Sequence, residues 1–244
     1  MGLKLIETSA LAQRHAVYDG AKRTVDLSVC LLLAAVFALP MLMIALILRR
    51  TSKGSVLYRQ TRIGRDERRF TLYKFRTMEA DADRNGPLIT AADDRRITRF
   101  GRFLRNTKLD ELPQLLNVLR GEMSLVGPRP QVARFVEAFP PGLRDTILSV
   151  RPGLTGTTQL AFWNEEKILA GRSDSEGWYL TELLPLKCRL DAAYVEERSL
   201  IKDFYILYMT TGVVLRGTLR RLLRRESLPV SASLPGNLPG HNVK

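Results

Sequence analysis

The strongest pattern in this chain is a single apolar run: from Val29 to Leu48 every residue is apolar, with one proline at Pro40. At about 1.5 Å per residue a helix of that length reaches roughly 30 Å, the thickness of a bilayer's hydrocarbon layer. Lys22 and Arg23 precede the run, and Arg49, Arg50 and Lys53 follow it. A single crossing would leave positive residues on both faces of the membrane, whereas a segment that dips in, bends and returns keeps both flanks on one side. Pro40 predicts the bend, because it removes one helical N–H and clashes with the preceding turn. A cleaved signal peptide fits poorly: the run starts late and ends in Leu48-Arg49-Arg50 rather than in small residues. Residues 22–53 are therefore expected to form a re-entrant membrane helix with its flanks, and residues 1–21 a leader lying as a surface helix. A kinked single crossing and a buried core helix are the alternatives.

Beyond the run the pattern changes. Ser55–Tyr58 and Phe70–Phe75 are strand-like and joined by a basic turn through Gly64. Residues 95–109 read as a helix, with Ile97, Phe100, Phe103 and Leu104 apolar and a basic ladder of Arg96, Arg99, Arg102, Arg105 and Lys108. A second helix is expected between Thr107 and Gly121: Leu112, Leu115, Leu116 and Leu119 mark its buried face, Pro113 suits its first turn and Gly121 its end. Near the C-terminus Leu215, Leu219, Leu222 and Leu223 share one helical face, with Arg216, Arg220, Arg221, Arg224 and Arg225 around the other. That is the pattern of a helix lying in an anionic membrane interface. The expected organisation is a catalytic domain over 54–215, a basic amphipathic helix over 216–226 and a disordered, proline-containing tail over 227–244. The fold class is α+β, mainly helical.

Composition narrows the chemistry. The chain carries 38 Lys and Arg against 25 Asp and Glu, a formal net charge of +13, so its partners are anionic. No zinc finger, RNA-binding aromatic motif or clear helix-turn-helix is present, which favours a membrane surface and phosphate-rich substrates over nucleic acid. Two cysteines, Cys30 and Cys188, make no disulfide framework. Two histidines, His15 near the start and His241 in the tail, make histidine triads and HExxH metal sites improbable. Any catalysis must rest on carboxylates.

Asp110 and Glu111 are the pair best placed to supply them. At a helix N-terminus they sit beside free backbone N–H groups and the positive end of the dipole, where acids also occur simply as caps. Neighbouring residues point apart around a turn, so the two can have separate roles. An aspartate can attack phosphorus, and a glutamate beside it can hold Mg²⁺, which uses one or two carboxylates plus substrate phosphates. Arg and Lys would clamp the remaining phosphate oxygens.

Several ordered motifs carry a resemblance. Lys74-Phe-Arg-Thr-Met78, Asp94 to Arg105, Leu109-Asp-Glu-Leu-Pro-Gln114, Asn117 to Pro130 and Arg151-Pro-Gly-Leu-Thr-Gly156 closely resemble the bacterial sugar transferase family, the monotopic phosphoglycosyl transferases that begin exopolysaccharide, O-antigen and glycoprotein glycan assembly. The resemblance runs from about Lys22 to about Leu215. It implies a re-entrant membrane helix broken at a proline, and a ping-pong reaction on the cytoplasmic face of the inner membrane. Asp110 would attack the sugar-bearing phosphorus of a UDP-sugar and expel UMP, and a polyprenol phosphate, normally undecaprenyl phosphate, would then take the sugar phosphate. By the same matching Glu111 would bind Mg²⁺, and Lys74, Arg76, Arg105 and Arg129 are the candidates for phosphate or nucleotide contacts. Asp191, Tyr194, Ser199 and Asp203 fit the family's closing pattern and read as structural. The chain departs from many relatives after Gly156, where it runs Gln159-Leu-Ala-Phe-Trp-Asn-Glu-Glu-Lys167 in place of an Asn-Gly-Arg-like loop. That leaves the sugar open, and the features leave room for a homo-oligomer.

Two rivals stand beside this reading. Asp81-Ala-Asp83 matches the DxD metal signature of conventional glycosyltransferases, which would release UDP rather than UMP. A non-enzymatic membrane adaptor would use the same basic surface and apolar run but gives no account of the ordered motifs around Asp110.

Overall fold

A computed structural model describes residues 2–51, 54–79, 82, 94–172 and 174–223, with side chains described between 17 and 218. The Asp81-Ala-Asp83 triplet, apart from Ala82, and the tail expected over 227–244 lie outside the described residues.

The chain is mainly helical with two small sheets. Helix α1 runs without interruption from Gly2 to Thr51, so no break marks the expected boundary between leader and membrane segment; Pro40 lies inside it. A hairpin follows, β1 (Leu57–Ile63) against β2 (Arg69–Phe75), pairing Tyr58 with Lys74 and Ile63 with Arg69. Its strands are longer at the turn end than the sequence pattern suggests, because the ladder carries the exposed arginines Arg59 and Arg69 as outward-facing positions. Helix α2 (Arg99–Thr107) leads into a 3₁₀ turn (Leu109–Gln114) and the short helix α3 (Leu115–Leu119). Strand β3 (Ser124–Val126) pairs in parallel with β4 (Gly153–Thr155), and α4 (Ala133–Glu137) and α5 (Leu143–Leu148) lie between them. The C-terminal part holds α6 (Thr157–Ala161), α7 (Glu165–Leu169), α8 (Ser175–Trp178), a π turn (Tyr179–Leu183), α9 (Leu184–Glu196) and α10 (Leu200–Leu223). The basic helix expected from 216 is thus the last part of α10 rather than a separate element.

One core gathers Phe70 and Leu72 of the hairpin, Leu115 and Val118 of α3, Leu125 and Val126 of β3, Tyr194 and Val195 of α9, Ile206 of α10 and Cys30 of α1. A second joins Phe135, Ile147, Tyr179, Leu183 and Leu184. A third packs Ile44 and Leu48 of α1 against Phe75 and Leu104. Helix α1 therefore reaches the globular part on both sides of Pro40.

Polar contacts fix the N-terminal side of the apolar run. Asp26 accepts from Ser124 Oγ at 2.7 Å and from the Leu125 N–H at 3.3 Å. Asp203 of α10 accepts from Tyr194 at 2.6 Å, from Tyr18 at 2.7 Å and from Lys22 at 2.9 Å. Arg23 donates to the Val118 and Leu119 carbonyls at 2.8 and 3.2 Å, at the negative end of α3. Between these anchors α1 is open: Leu32, Val36 and Leu39 are 64, 60 and 67% exposed. Within α1 the stretch Val17–Thr51 is long and apolar enough to cross a membrane, by length and composition.

Candidate active site

The candidate pair, Asp110 and Glu111, is delivered by a helix stop. Thr98 caps α2, its Oγ1 accepting from the Gly101 N–H at 2.9 Å, and Gly101 lies so close to the Thr77 backbone that any Cβ there would collide with it. At the other end Lys108 takes a left-handed conformation with φ of 59°, which ends α2 and starts the 3₁₀ turn. Asp110 and Glu111 thus sit in the first part of a 3₁₀ turn, where the sequence pattern suggests an α-helical N-terminus. Pro113 inside the turn supplies no N–H for a helical ladder, which accounts for the tighter winding.

The two acids differ sharply in surroundings. Glu111 Oε1 accepts from Lys74 Nζ at 2.9 Å and from Arg129 Nη2 at 2.6 Å, while Oε2 has only a 3.5 Å contact with Arg129 Nη1. Lys74 comes from β2 and Arg129 from the loop after β3, so three separate elements meet at one carboxylate. Burial alone would raise the Glu111 pKa, but Arg129, Lys74 and Lys108 together hold it well below the usual range. Asp110 is 6% exposed and its Oδ1 is buried with no hydrogen-bond partner. Burial and the neighbouring Glu111 charge push its carboxyl up, against the pull of Lys74, Lys108 and Arg105.

Of the other sequence candidates, Lys74 and Arg129 converge on the pair. Arg105 lies close enough to act on Asp110 electrostatically, but its guanidinium donates to Glu166 of α7 at 2.5 Å. The Arg76 guanidinium packs at Gly54, just after α1, and its backbone N–H bonds the Val56 carbonyl at 3.0 Å. Asp203 and Tyr194 tie α9 and α10 to α1, and Asp191 accepts from Thr158 at 3.0 Å.

The structure adds residues that the sequence reading misses. Arg62 of β1 holds the Pro130 carbonyl at 3.1 Å, next to Arg129, and burial together with the Arg129 charge lowers its pKa to about 10. It shares a sheet face with Lys74, since Tyr58, Gln60 and Arg62 alternate along β1 and Tyr58 pairs with Lys74; that period of two was the available signal. Lys187 of α9 is buried and donates to Glu165 at 2.7 Å, and a lysine among Leu184, Cys188 and Val195 is the kind of misfit that marks a buried partner.

The donor set suits a hard cation. Two carboxyl oxygens lack a close partner, Asp110 Oδ1 and Glu111 Oε2. Among the described residues there is no group of three or more His, Cys, Asp or Glu that could hold a metal ion, so a cation here would take one or two carboxylates and complete its shell with water and phosphate oxygens, as Mg²⁺ can.

A sequence profile of bacterial sugar transferases matches residues 17–217, a span that includes α1 from Val17 onward and every element of the site. The chain belongs to the bacterial sugar transferase family. This family member is 38% identical over 201 residues to the UDP-glucose:undecaprenyl-phosphate glucose-1-phosphate transferase of Caulobacter vibrioides, covering 81% of this chain and 70% of that protein. It is 34% identical over 208 residues to the UDP-N-acetylgalactosamine-undecaprenyl-phosphate N-acetylgalactosaminephosphotransferase of Aeromonas hydrophila, covering 82% of this chain and 45% of that protein. It is 38% identical over 222 residues to the undecaprenyl-phosphate galactose phosphotransferase of Salmonella typhimurium, covering 84% of this chain and 42% of that protein. The chain thus spans less than half the length of the latter two relatives. Their names give three different sugars, so family membership leaves the donor sugar open.

Proposed function

We propose that this protein transfers a sugar 1-phosphate from a UDP-sugar to undecaprenyl phosphate, with release of UMP, as the first step of exopolysaccharide or related glycan assembly. The observation that carries this reading is the asymmetry of the pair: a buried aspartate with an unpaired oxygen beside a glutamate locked between two cations. In the first half-reaction an Asp110 carboxylate oxygen bonds to the sugar-bearing phosphorus, and the bond from that phosphorus to the UMP oxygen breaks. In the second, an oxygen of the lipid phosphate bonds to the same phosphorus, and the bond to Asp110 breaks to restore the carboxylate. Lys74 and Arg129 keep Glu111 in place and present positive charge where the donor's diphosphate would lie. Glu111, with Asp110 Oδ1 nearby, would hold Mg²⁺, which when bound would neutralise charge on the diphosphate.

We also propose that α1 enters the membrane from the cytoplasmic face, bends at Pro40 and returns, without crossing. Support comes from the anchors on either side of the proline: Cys30, with Asp26 ahead of it, and Leu48 beyond it all pack on one globular unit. A helix leaving through the far side of a bilayer could not keep its second contact. On α10, Ile201, Phe204, Tyr205 and Tyr208 form an exposed stripe at helical spacing, which suits the membrane interface.

The decisive measurement offers a panel of UDP-sugars with undecaprenyl phosphate and Mg²⁺ and follows the nucleotide released. UMP with a sugar-diphosphate lipid is expected from at least one donor; UDP without UMP would overturn the mechanism. Cysteines placed near Lys22 and near Arg50 should label from the same side, and labelling from opposite sides would overturn the re-entrant topology.

A further inference from the structure

The segment where this chain departs from many relatives touches the catalytic elements at three points. The Trp163 ring lies 5.1 Å from Lys108 Nζ, Glu165 accepts from Lys187 at 2.7 Å, and Glu166 Oε1 accepts from Arg105 Nη2 at 2.5 Å. Lys108 and Arg105 come from the helix end that delivers Asp110. Three cations around the site are thus engaged by one short stretch of chain.

The Arg105 contact is the more open of the two ion pairs. The Lys187 and Glu165 side chains are 4 and 29% exposed, against 18 and 39% for Arg105 and Glu166. Arg105 also keeps a buried Nε with no hydrogen-bond partner. A guanidinium beside a phosphotransfer site that holds one carboxylate oxygen and has a donor to spare is suited to a larger anion with more oxygens. Ion pairs open to solvent on one side contribute modestly, so a diphosphate that also engages Lys74 and Arg129 would displace the carboxylate.

We propose that Glu166 is an internal stand-in for the donor's phosphate: it holds Arg105 while the site is empty, and a phosphate oxygen of the nucleoside diphosphate replaces it on binding. Arg105 is then a phosphate-binding residue, and Glu166 a positioning residue that acts through it. Because Trp163 rides on the same stretch, the exchange also alters its contact with Lys108. The inference rests on the nucleotide-sugar reading above and specifies how the site is opened to that ligand.

Trp163 and Trp178 are the two tryptophans of the chain, so the full-length protein carrying Trp178→Phe reports on Trp163 alone. UDP titrated into it should change the emission. Added Glu166→Gln should tighten UDP binding by about two- to fivefold, the size expected for removing one partly exposed competing charge. Arg105→Ala should weaken binding, and Glu166→Gln on top of it should bring no tightening; Arg105→Lys serves the same comparison if alanine unfolds the chain. In UMP-release assays the donor KM of Glu166→Gln should fall by the same factor as the UDP dissociation constant. Unchanged or weaker UDP binding in Glu166→Gln, or equal tightening without Arg105, overturns the exchange. The predicted UDP pattern without UMP release from any UDP-sugar would instead overturn the transferase reading and leave the exchange standing.

Discussion

Glu111 takes Arg129 at 2.6 Å and Lys74 at 2.9 Å, while the carboxyl of Asp110, one residue earlier, is buried with its Oδ1 unpaired. One backbone step therefore separates a permanently ionised acid from one whose charge is poorly supported. A carboxylate that water and hydrogen bonds do not stabilise is a stronger nucleophile than an exposed one, and a neighbour with a fixed charge keeps the two from exchanging roles.

The activity should follow that difference. Asp110→Asn takes away the proposed nucleophile and should abolish UMP release while membrane association persists. Full activity in the asparagine variant would remove Asp110 from the nucleophile's role.

Arg129 should matter for both stability and rate. Arg129→Ala takes away one of the two cations on Glu111, and losing hydrogen bonds to a charged group costs about 1.5–3 kcal/mol. UMP release should fall by at least about 10²-fold, the scale of losing one preorganised electrostatic donor. Arg129→Lys keeps the charge but not the fork and should fall between the two. Thermal unfolding with parallel kinetics tests this, and wild-type rates in Arg129→Ala would refute it.

Asp191 predicts a pH effect away from the chemistry. Burial pushes its carboxyl up to about 7, although the Thr158 hydroxyl and Lys187 oppose the rise. Between the unfolded value of about 3.9 and the folded one, the folded chain holds a proton that the unfolded chain has released. This group's contribution to stability therefore declines as pH rises across that window, by on the order of a few kcal/mol. Asp191→Asn, which still accepts from Thr158, should unfold at a higher temperature than wild type near pH 8 and at the same temperature near pH 4. A pH-independent difference would count against the shift.

Asp26 should prove to be a structural anchor. Its carboxylate serves Ser124 Oγ and the Leu125 N–H across the contact between α1 and β3. Asp26→Ala leaves the Leu125 N–H buried without this acceptor, at about 1–3 kcal/mol, whereas the Ser124 hydroxyl still has the Val126 carbonyl at 2.9 Å, so Ser124→Ala should cost less. Unfolding curves in detergent give the comparison; an unchanged midpoint for Asp26→Ala would mean that α1 is held by its apolar contacts alone.

How legible all this was depended on the range of each interaction. The hairpin showed itself because β-prone runs flank a basic turn with Gly64, a local signal. The candidate pair drew attention because a basic ladder, a proline and a leucine face bracket Asp110 within a few residues. What Glu111 pairs with could not be read in the same way: Lys74 is 37 residues back and Arg129 is 18 ahead. Arg62 and Lys187 left weak traces, an alternation along β1 and a charge among apolar helix positions, that only the assembled fold explains. The boundary expected at residue 22 followed composition, and the helix itself carries no break there. A helix continues across a change from polar to apolar surroundings as long as its backbone ladder is unbroken, as α1 does from Gly2 to Thr51.

The packing of Cys30, Ile44 and Leu48 bears on how this protein could be handled or remodelled. In many membrane enzymes the anchor is a detachable handle, and cutting it away frees a soluble catalyst. Here residues from both arms of the apolar helix fill the interior beside Leu115, Val118, Phe75 and Leu104, the same side chains that support the 3₁₀ turn bearing Asp110. Deleting the helix would uncover that interior and loosen the turn, so a water-soluble version would have to be obtained by recolouring the exposed Leu32, Val36 and Leu39 with polar residues rather than by truncation.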